Sequence, residues 1–124
     1  MYQGDQYWVP LTITMNGDAV TPLTTNLAGI LVNVNDDEIT KSMEITWTYT
    51  PGSDESTTTY NDMDFHDGKW YFLLRDEETL NLPVKFKVQV RVKITGPDDI
   101  PQIYSSKPKE VKLGRSIFTE EYDV

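Results

Sequence analysis

Apolar and polar positions alternate with a period of two along much of the chain, while a period of 3.6 is almost nowhere sustained, so the pattern predicts strands. The clearest run is Val84 to Ile94. Val84, Phe86, Val88, Val90, Val92 and Ile94 fall on one side and Lys85, Lys87, Gln89, Arg91 and Lys93 on the other, because successive strand side chains point to opposite faces. One buried and one wet face marks an antiparallel sheet, since strands buried on both faces read as unbroken apolar runs. Tyr7, Val9, Leu11 and Ile13 alternate likewise with Trp8, Pro10, Thr12 and Thr14. Pro10 cannot donate a ladder hydrogen bond, which predicts an edge or a bulge there. Asn16-Gly17 then predicts a tight hairpin turn into a short returning segment over Asp18–Thr21.

Further on, Leu27–Asn35 reads as a buried strand, and Met43–Thr50 as another with Met43, Ile45, Trp47 and Tyr49 on one face. Thr57–Asp62 is its threonine-rich partner across an exposed loop, Pro51–Ser56. Asp67-Gly68 turns the chain into Lys69–Leu74, where Trp70, Phe72 and Leu74 alternate with Tyr71 and Leu73. Asp76–Leu82 is the one short helix, with acidic residues at its start and Pro83 stopping it. Thr95-Gly96-Pro97-Asp98-Asp99 is a turn, followed by short strands at Ile100–Ser105 and Glu110–Leu113, and a charged tail from about residue 115 that is expected to be mobile. Together these make an all-β, immunoglobulin-like antiparallel sandwich of about seven to eight strands. Its predicted core holds Trp47, Trp70, Phe72, Phe86, Val88, Val90 and Val92, while Trp8 and Tyr71 lie on the opposite phase as exposed aromatics.

Composition changes this picture in two ways. A chain of 124 residues is one domain's length, and with no cysteine it has no thiol nucleophile, thiolate metal site or disulfide. The net charge of −9 argues against a nucleic-acid partner, which needs a basic face, and against anionic membranes. The longest nearly apolar stretch, Leu27–Val34, falls far short of the roughly 20 residues of a membrane-spanning helix. Met1–Asp5 shows neither a basic region nor an apolar run, so a cytoplasmic location is expected. The charge is unevenly divided: residues 1–84 carry 3 basic and 14 acidic side chains, a net of −11, and residues 85–124 carry 8 and 6, a net of +2. Lys85, Lys87, Arg91 and Lys93 on the wet side of one strand read either as ordinary solvent-facing residues that discourage edge pairing or as a candidate docking surface for an acidic patch on a neighbouring copy.

Catalytic and metal chemistry finds little support. His66 is the single histidine and sits beside the Asp67-Gly68 turn, and one histidine without cysteine cannot hold zinc or iron. Asn61, Asp62, Asp64 and Asp67, or Asn35–Glu38, offer hard oxygen ligands, but neither segment follows the EF-hand spacing. The glycines are scattered singly, without a phosphate-cradling loop. No catalytic residue, metal or cofactor is assigned. A carbohydrate-binding surface using Trp8 and Tyr71 is the alternative to protein docking.

The order of segments also resembles the amino-terminal immunoglobulin-like domain of phage baseplate upper proteins. The residues carrying the resemblance are Tyr2-Gln3-Gly4-Asp5, Asn16-Gly17-Asp18, Gly68-Lys69-Trp70-Tyr71-Phe72-Leu73-Leu74 with Glu78-Thr79-Leu80, Val88-Gln89-Val90-Arg91-Val92-Lys93, and Lys112-Leu113-Gly114-Arg115-Ser116-Ile117. The resemblance implies a non-enzymatic virion component of tail or baseplate, made in the host bacterial cytoplasm. Its partners are then other tail proteins or copies of itself. Baseplate upper proteins are larger, so a decoration or connector piece is a second form of the same expectation.

Overall fold

The computed structural model describes residues 4–95, 100–112 and 120–124. The first half of the chain forms β1 (Tyr7–Met15), β2 (Asp18–Ala19), β3 (Leu27–Val34), β4 (Ile39–Thr50), β5 (Ser53–Asn61) and β6 (Met63–His66). The second half forms β7 (Lys69–Leu74), α1 (Asp76–Asn81), β8 (Lys85–Thr95), β9 (Pro101–Ser105), β10 (Lys109–Lys112) and β11 (Glu120–Asp123). No helix among the described residues is long and apolar enough to cross a membrane.

Two sheets face each other. One has the order β11-β1-β7-β6 with β2 beside β1, and the other runs β10-β8-β3-β4-β5 with β9 also on β8. This is the layout of a variable-type immunoglobulin sandwich, with β1, β7 and β6 in the B, E and D places. Strands β3, β4, β5 and β8 take C, C′, C″ and F, and β9 and β10 together take G. The A place is filled by the last strand, and β11 runs parallel to β1. On the G side, Ser106 joins β9 to β10: its N–H donates to the Val90 carbonyl at 2.9 Å and its Oγ accepts from the Val90 N–H at 3.1 Å. Two turns have the chemistry their residues predict. Asn16 and Gly17 take φ of 53° and 84°, as a two-residue hairpin of twisted strands requires, and Gly52 after Pro51 takes φ of 88°.

The inward phases of the strands meet in one core, where Leu11, Ile13, Val32, Val34, Met43, Trp70, Phe72, Leu74, Val88 and Val90 are almost fully inaccessible. Trp70 satisfies its indole N–H on the Val20 carbonyl at 2.7 Å, and Phe65 packs edge-on against it with ring centroids 4.8 Å apart. Phe86 and Val92 are buried as expected. Trp47 is a correction: it has the inward phase but is 53% exposed, because it borders an open cleft beside Leu23 and Asn26 and is not packed in the core.

Other expectations also shift. Pro51–Ser56 is not a loop, since the turn is only Pro51-Gly52 and β5 starts at Ser53. β1 is not an edge strand; β11 pairs with it from Leu11 onward, which leaves Pro10 just beyond that ladder. β8 starts at Lys85, and Val84 is exposed. The Gly96–Asp99 part of the predicted turn and residues 113–119 of the predicted final strand and tail lie outside the described residues.

Residues 120–124 are not a loose tail: Tyr122 is 1% exposed in the core, and the Val124 N–H donates to the Thr14 carbonyl at 2.9 Å. The Lys109 ammonium, at the edge of the other sheet, lies 4.8 Å from the centre of the Tyr122 ring, a cation–π contact between the sheets.

At the β6 end the sheets are joined by charge. Lys41, on the inward face of β4 and 4% exposed, donates to Asp62 at 2.8 Å and to Glu78 at 2.7 and 3.0 Å. Asp62, between β5 and β6, also accepts both prongs of the Arg75 guanidinium at 2.8 and 3.0 Å. Glu78 in turn accepts the Arg75 backbone N–H at 2.9 Å and so closes the first turn of α1. A buried ammonium is tolerated here because two carboxylates satisfy it.

Two measurements check this account. The Arg75 hydrogen bond, helped by Lys41, lowers the Asp62 pKa from 3.8 to about 2. A carboxylate whose folded pKa is depressed stabilises the fold above its unfolded value, and that stability is lost as the pH falls from about 4 towards 2. Asp62→Asn is therefore expected to flatten that acid limb and to cost about 2 kcal/mol at neutral pH. The cost stays below the roughly 3–5 kcal/mol of a fully broken buried pair, because Glu78 still holds Lys41. Tyr122→Ala is expected to cost about 3 kcal/mol in urea unfolding, as truncation of a buried aromatic does; a mobile tail would give no change.

Candidate functional site

Because β8 sends Phe86, Val88, Val90 and Val92 into the core, Lys85, Lys87, Gln89, Arg91 and Lys93 are delivered to the outer face of the six-stranded sheet. The register of the neighbouring strands decides what surrounds each. Lys93 lies between Ile103 and Gly29, with Glu44 on the far side of Gly29. Arg91 lies between Ser105 and Leu31, Gln89 beside Asn33, Lys87 opposite Glu110, and Lys85 opposite Lys112. The four predicted cations thus share one face, and a fifth, Lys112, extends it. Lys112 carries no signal in the sequence, because its neighbour across the ladder is 27 positions earlier.

Lys85, Lys87 and Lys93 are exposed and Arg91 is half-buried. Among the described residues no carboxylate lies in ion-pair contact with any of the four. Beside Arg91 and Lys93 the face is indented by a shallow cleft of about 390 Å³, bordered by Leu31, Glu44 and Ile103. Its floor is Gly29, where an added Cβ would stand 2.9 Å from the Met43 carbonyl oxygen, so only glycine fits the close approach of β3 to β4. Two polar groups of this face lack a hydrogen-bond partner among the described residues despite being inaccessible: the side-chain amide of Asn33, a residue 5% exposed, and the Arg91 Nε. Buried polar groups are ordinarily paired, and leaving one unpaired costs about 1–3 kcal/mol.

The other candidates lie elsewhere. Trp8 and Tyr71 are on the outer face of the other sheet, Trp8 opposite Leu73 and Tyr71 opposite Pro10. Trp8 is 45% exposed and Tyr71 half-buried. Trp47 overhangs a cleft of about 790 Å³ between the β4–β5 arm and the segment holding Leu23 and Asn26. His66 is exposed and touches only the Asp67 carboxylate, at 3.1 Å, among the ion pairs of the described residues. No group of three or more metal-ligating side chains occurs among the described residues.

The class defined by the fold is thus an immunoglobulin-like β-sandwich, with a cationic strand across its larger sheet. No family model matches the chain, and no curated protein or solved structure matches it.

The glycine floor is directly testable. Gly29→Ala is expected to lose about 1–3 kcal/mol of stability, the cost of overpacking a rigid site, because the atom it meets is backbone and cannot rotate away. Equal urea midpoints for the two proteins would contradict the close packing of β3 on β4 at this point.

Proposed function

We propose that this chain is a non-enzymatic structural module of a phage or prophage virion, of the tail or baseplate, working by docking through the outer face of its larger sheet onto an acidic surface of a neighbouring tail protein. The observation that carries this reading is that Lys85, Lys87, Arg91 and Lys93 share one face with no carboxylate in ion-pair contact among the described residues, on a chain whose net charge is −9. Cations held in local salt bridges are used up inside the molecule, whereas Lys85, Lys87 and Lys93 are exposed and in no ion pair among the described residues. Such a face sets orientation and association rate more than affinity, and its effect weakens with salt. The virion assignment itself rests on the resemblance of the Gly68–Leu74, Val88–Lys93 and Lys112–Ile117 segments to the baseplate upper protein domain.

The experiment is to purify particles from a strain encoding the chain and measure its copy number by quantitative mass spectrometry. The chain is expected at a fixed stoichiometry per particle. Replacing the exposed Lys85, Lys87 and Lys93 together by Gln is expected to lower incorporation at least tenfold, with unfolding stability changed by no more than about 1 kcal/mol, as for exposed positions. Particles that lack the native chain, or that take up the variant equally well, would refute the reading.

A further inference from the structure

The edge of the larger sheet opposite β9 and β10 is β5, and no described strand pairs with its outer side. It is nine residues long, every side chain is exposed, and its ladder with β4 runs from Ser42↔Asn61 to Thr50↔Ser53 without a register shift. Edge strands are ordinarily blunted by proline, lysine, a bulge or shortness. Ser53-Asp54-Glu55-Ser56-Thr57-Thr58-Thr59-Tyr60-Asn61 has none of these. Its only guards are Asp54 and Glu55, both at the end nearest the turn.

The turn fixes which backbone groups are free. In a two-residue hairpin the closing pair, here Thr50 and Ser53, is hydrogen-bonded, and hydrogen-bonded and open pairs then alternate along an antiparallel ladder. Ser53, Glu55, Thr57, Thr59 and Asn61 therefore spend their N–H and C=O groups on β4. Asp54, Ser56, Thr58 and Tyr60 direct theirs outward, four residues in an unbroken row.

We propose that β5 pairs antiparallel with β5 of a second copy about a two-fold axis through Thr57, joining the two larger sheets into one. Antiparallel pairing with this centre sets Asp54 opposite Tyr60 of the second copy and Ser56 opposite Thr58, so all four outward residues find partners that also point outward. Centring on Ser56 leaves Tyr60 unpaired, and centring on Thr58 leaves Asp54 without a strand partner. Centring on Glu55 sets two glutamates face to face, which destabilises a ladder. In the Thr57 register Glu55 faces Thr59, and the acidic ends of the two strands lie at opposite ends of the joint. The two charges that guard the edge against other strands thus do not oppose a copy of the same strand. The occupant is a second copy rather than a foreign strand because this match comes from the strand's own sequence. None of the cations on the outer face takes part, so the dimer and the docking face stand or fall separately.

The chain has no cysteine, which makes a single introduced one a register probe. At the two-fold axis Thr57 forms an open pair with itself, with Cα atoms about 4.5 Å apart, within disulfide reach. Thr57→Cys is expected to cross-link quantitatively under mild oxidation. Ser56→Cys and Thr58→Cys, each displaced from its own equivalent, are expected to cross-link at least tenfold more slowly. In light scattering the native chain is expected at twice its monomer mass. Thr58→Pro, which deletes one outward N–H and no bond to β4, is expected at the monomer mass with an unchanged circular dichroism spectrum. A native chain that stays monomeric at millimolar concentration, or equal cross-linking at positions 56, 57 and 58, overturns the proposal.

Discussion

Period-two alternation along β8 is the constraint on which the rest of the molecule depends. The same eleven residues supply the centre of the core and the centre of the basic face, because a strand that buries Phe86, Val88, Val90 and Val92 must present Lys85, Lys87, Gln89, Arg91 and Lys93 to the other side. A slip of one residue in its pairing with β3 would reverse both at once. The slip is opposed on one side by Ile30, Val32 and Val34 of β3, and on the other by the Ser106 junction, whose backbone and hydroxyl both engage Val90. The burial that holds the fold therefore also holds the cations in their row.

The two sheets are unequal, and the inequality organises the remaining surface. Towards the turn of the β4–β5 arm Trp47 is exposed and faces the segment holding Leu23 and Asn26 only across a cleft, and no described strand pairs with the outer side of β5. At the base of the same arm the opposite holds. There Lys41 is drawn inward and held by Asp62 and Glu78, and Arg75 ties Asp62 to the start of α1. Charge joins the sheets at this end, and apolar packing together with the Lys109–Tyr122 contact joins them elsewhere. A hydrophobic residue at position 41 would fill the volume but would not tie β4, the β5–β6 corner and α1 to one another.

Much of this was legible in the chain, for physical reasons that differ by element. β8, β3, β7 and the short helix declare themselves by alternation, by turn residues and by Pro83, all of which act within a few residues. Trp47 shows where that reading stops. Its phase is inward, but phase carries no information about whether a packed layer or an open cleft faces that end of β4. β11 was hidden differently: Glu120, Glu121 and Asp123 make the segment look solvated, and the partner that orders it, β1, lies more than 100 residues earlier. Pro10 marks a missing ladder bond as expected, yet β11 starts one residue beyond it, which moves β1 into the sheet interior. Of the candidate face, the row of four cations was readable from one strand. Lys112, the Gly29 floor and the unpaired Asn33 amide depend on which strands become neighbours, and local pattern does not carry that.

The central claim is that the outer face of β8 is covered in the assembled particle. Lysine acetylation read by mass spectrometry, on the isolated chain and on purified particles, tests it residue by residue. Lys85, Lys87 and Lys93 are predicted to react freely in the isolated chain and to be protected at least tenfold in the particle, while Lys69, exposed on β7 of the smaller sheet, reacts equally in both. Equal reactivity of the three β8 lysines in the two states would contradict the account.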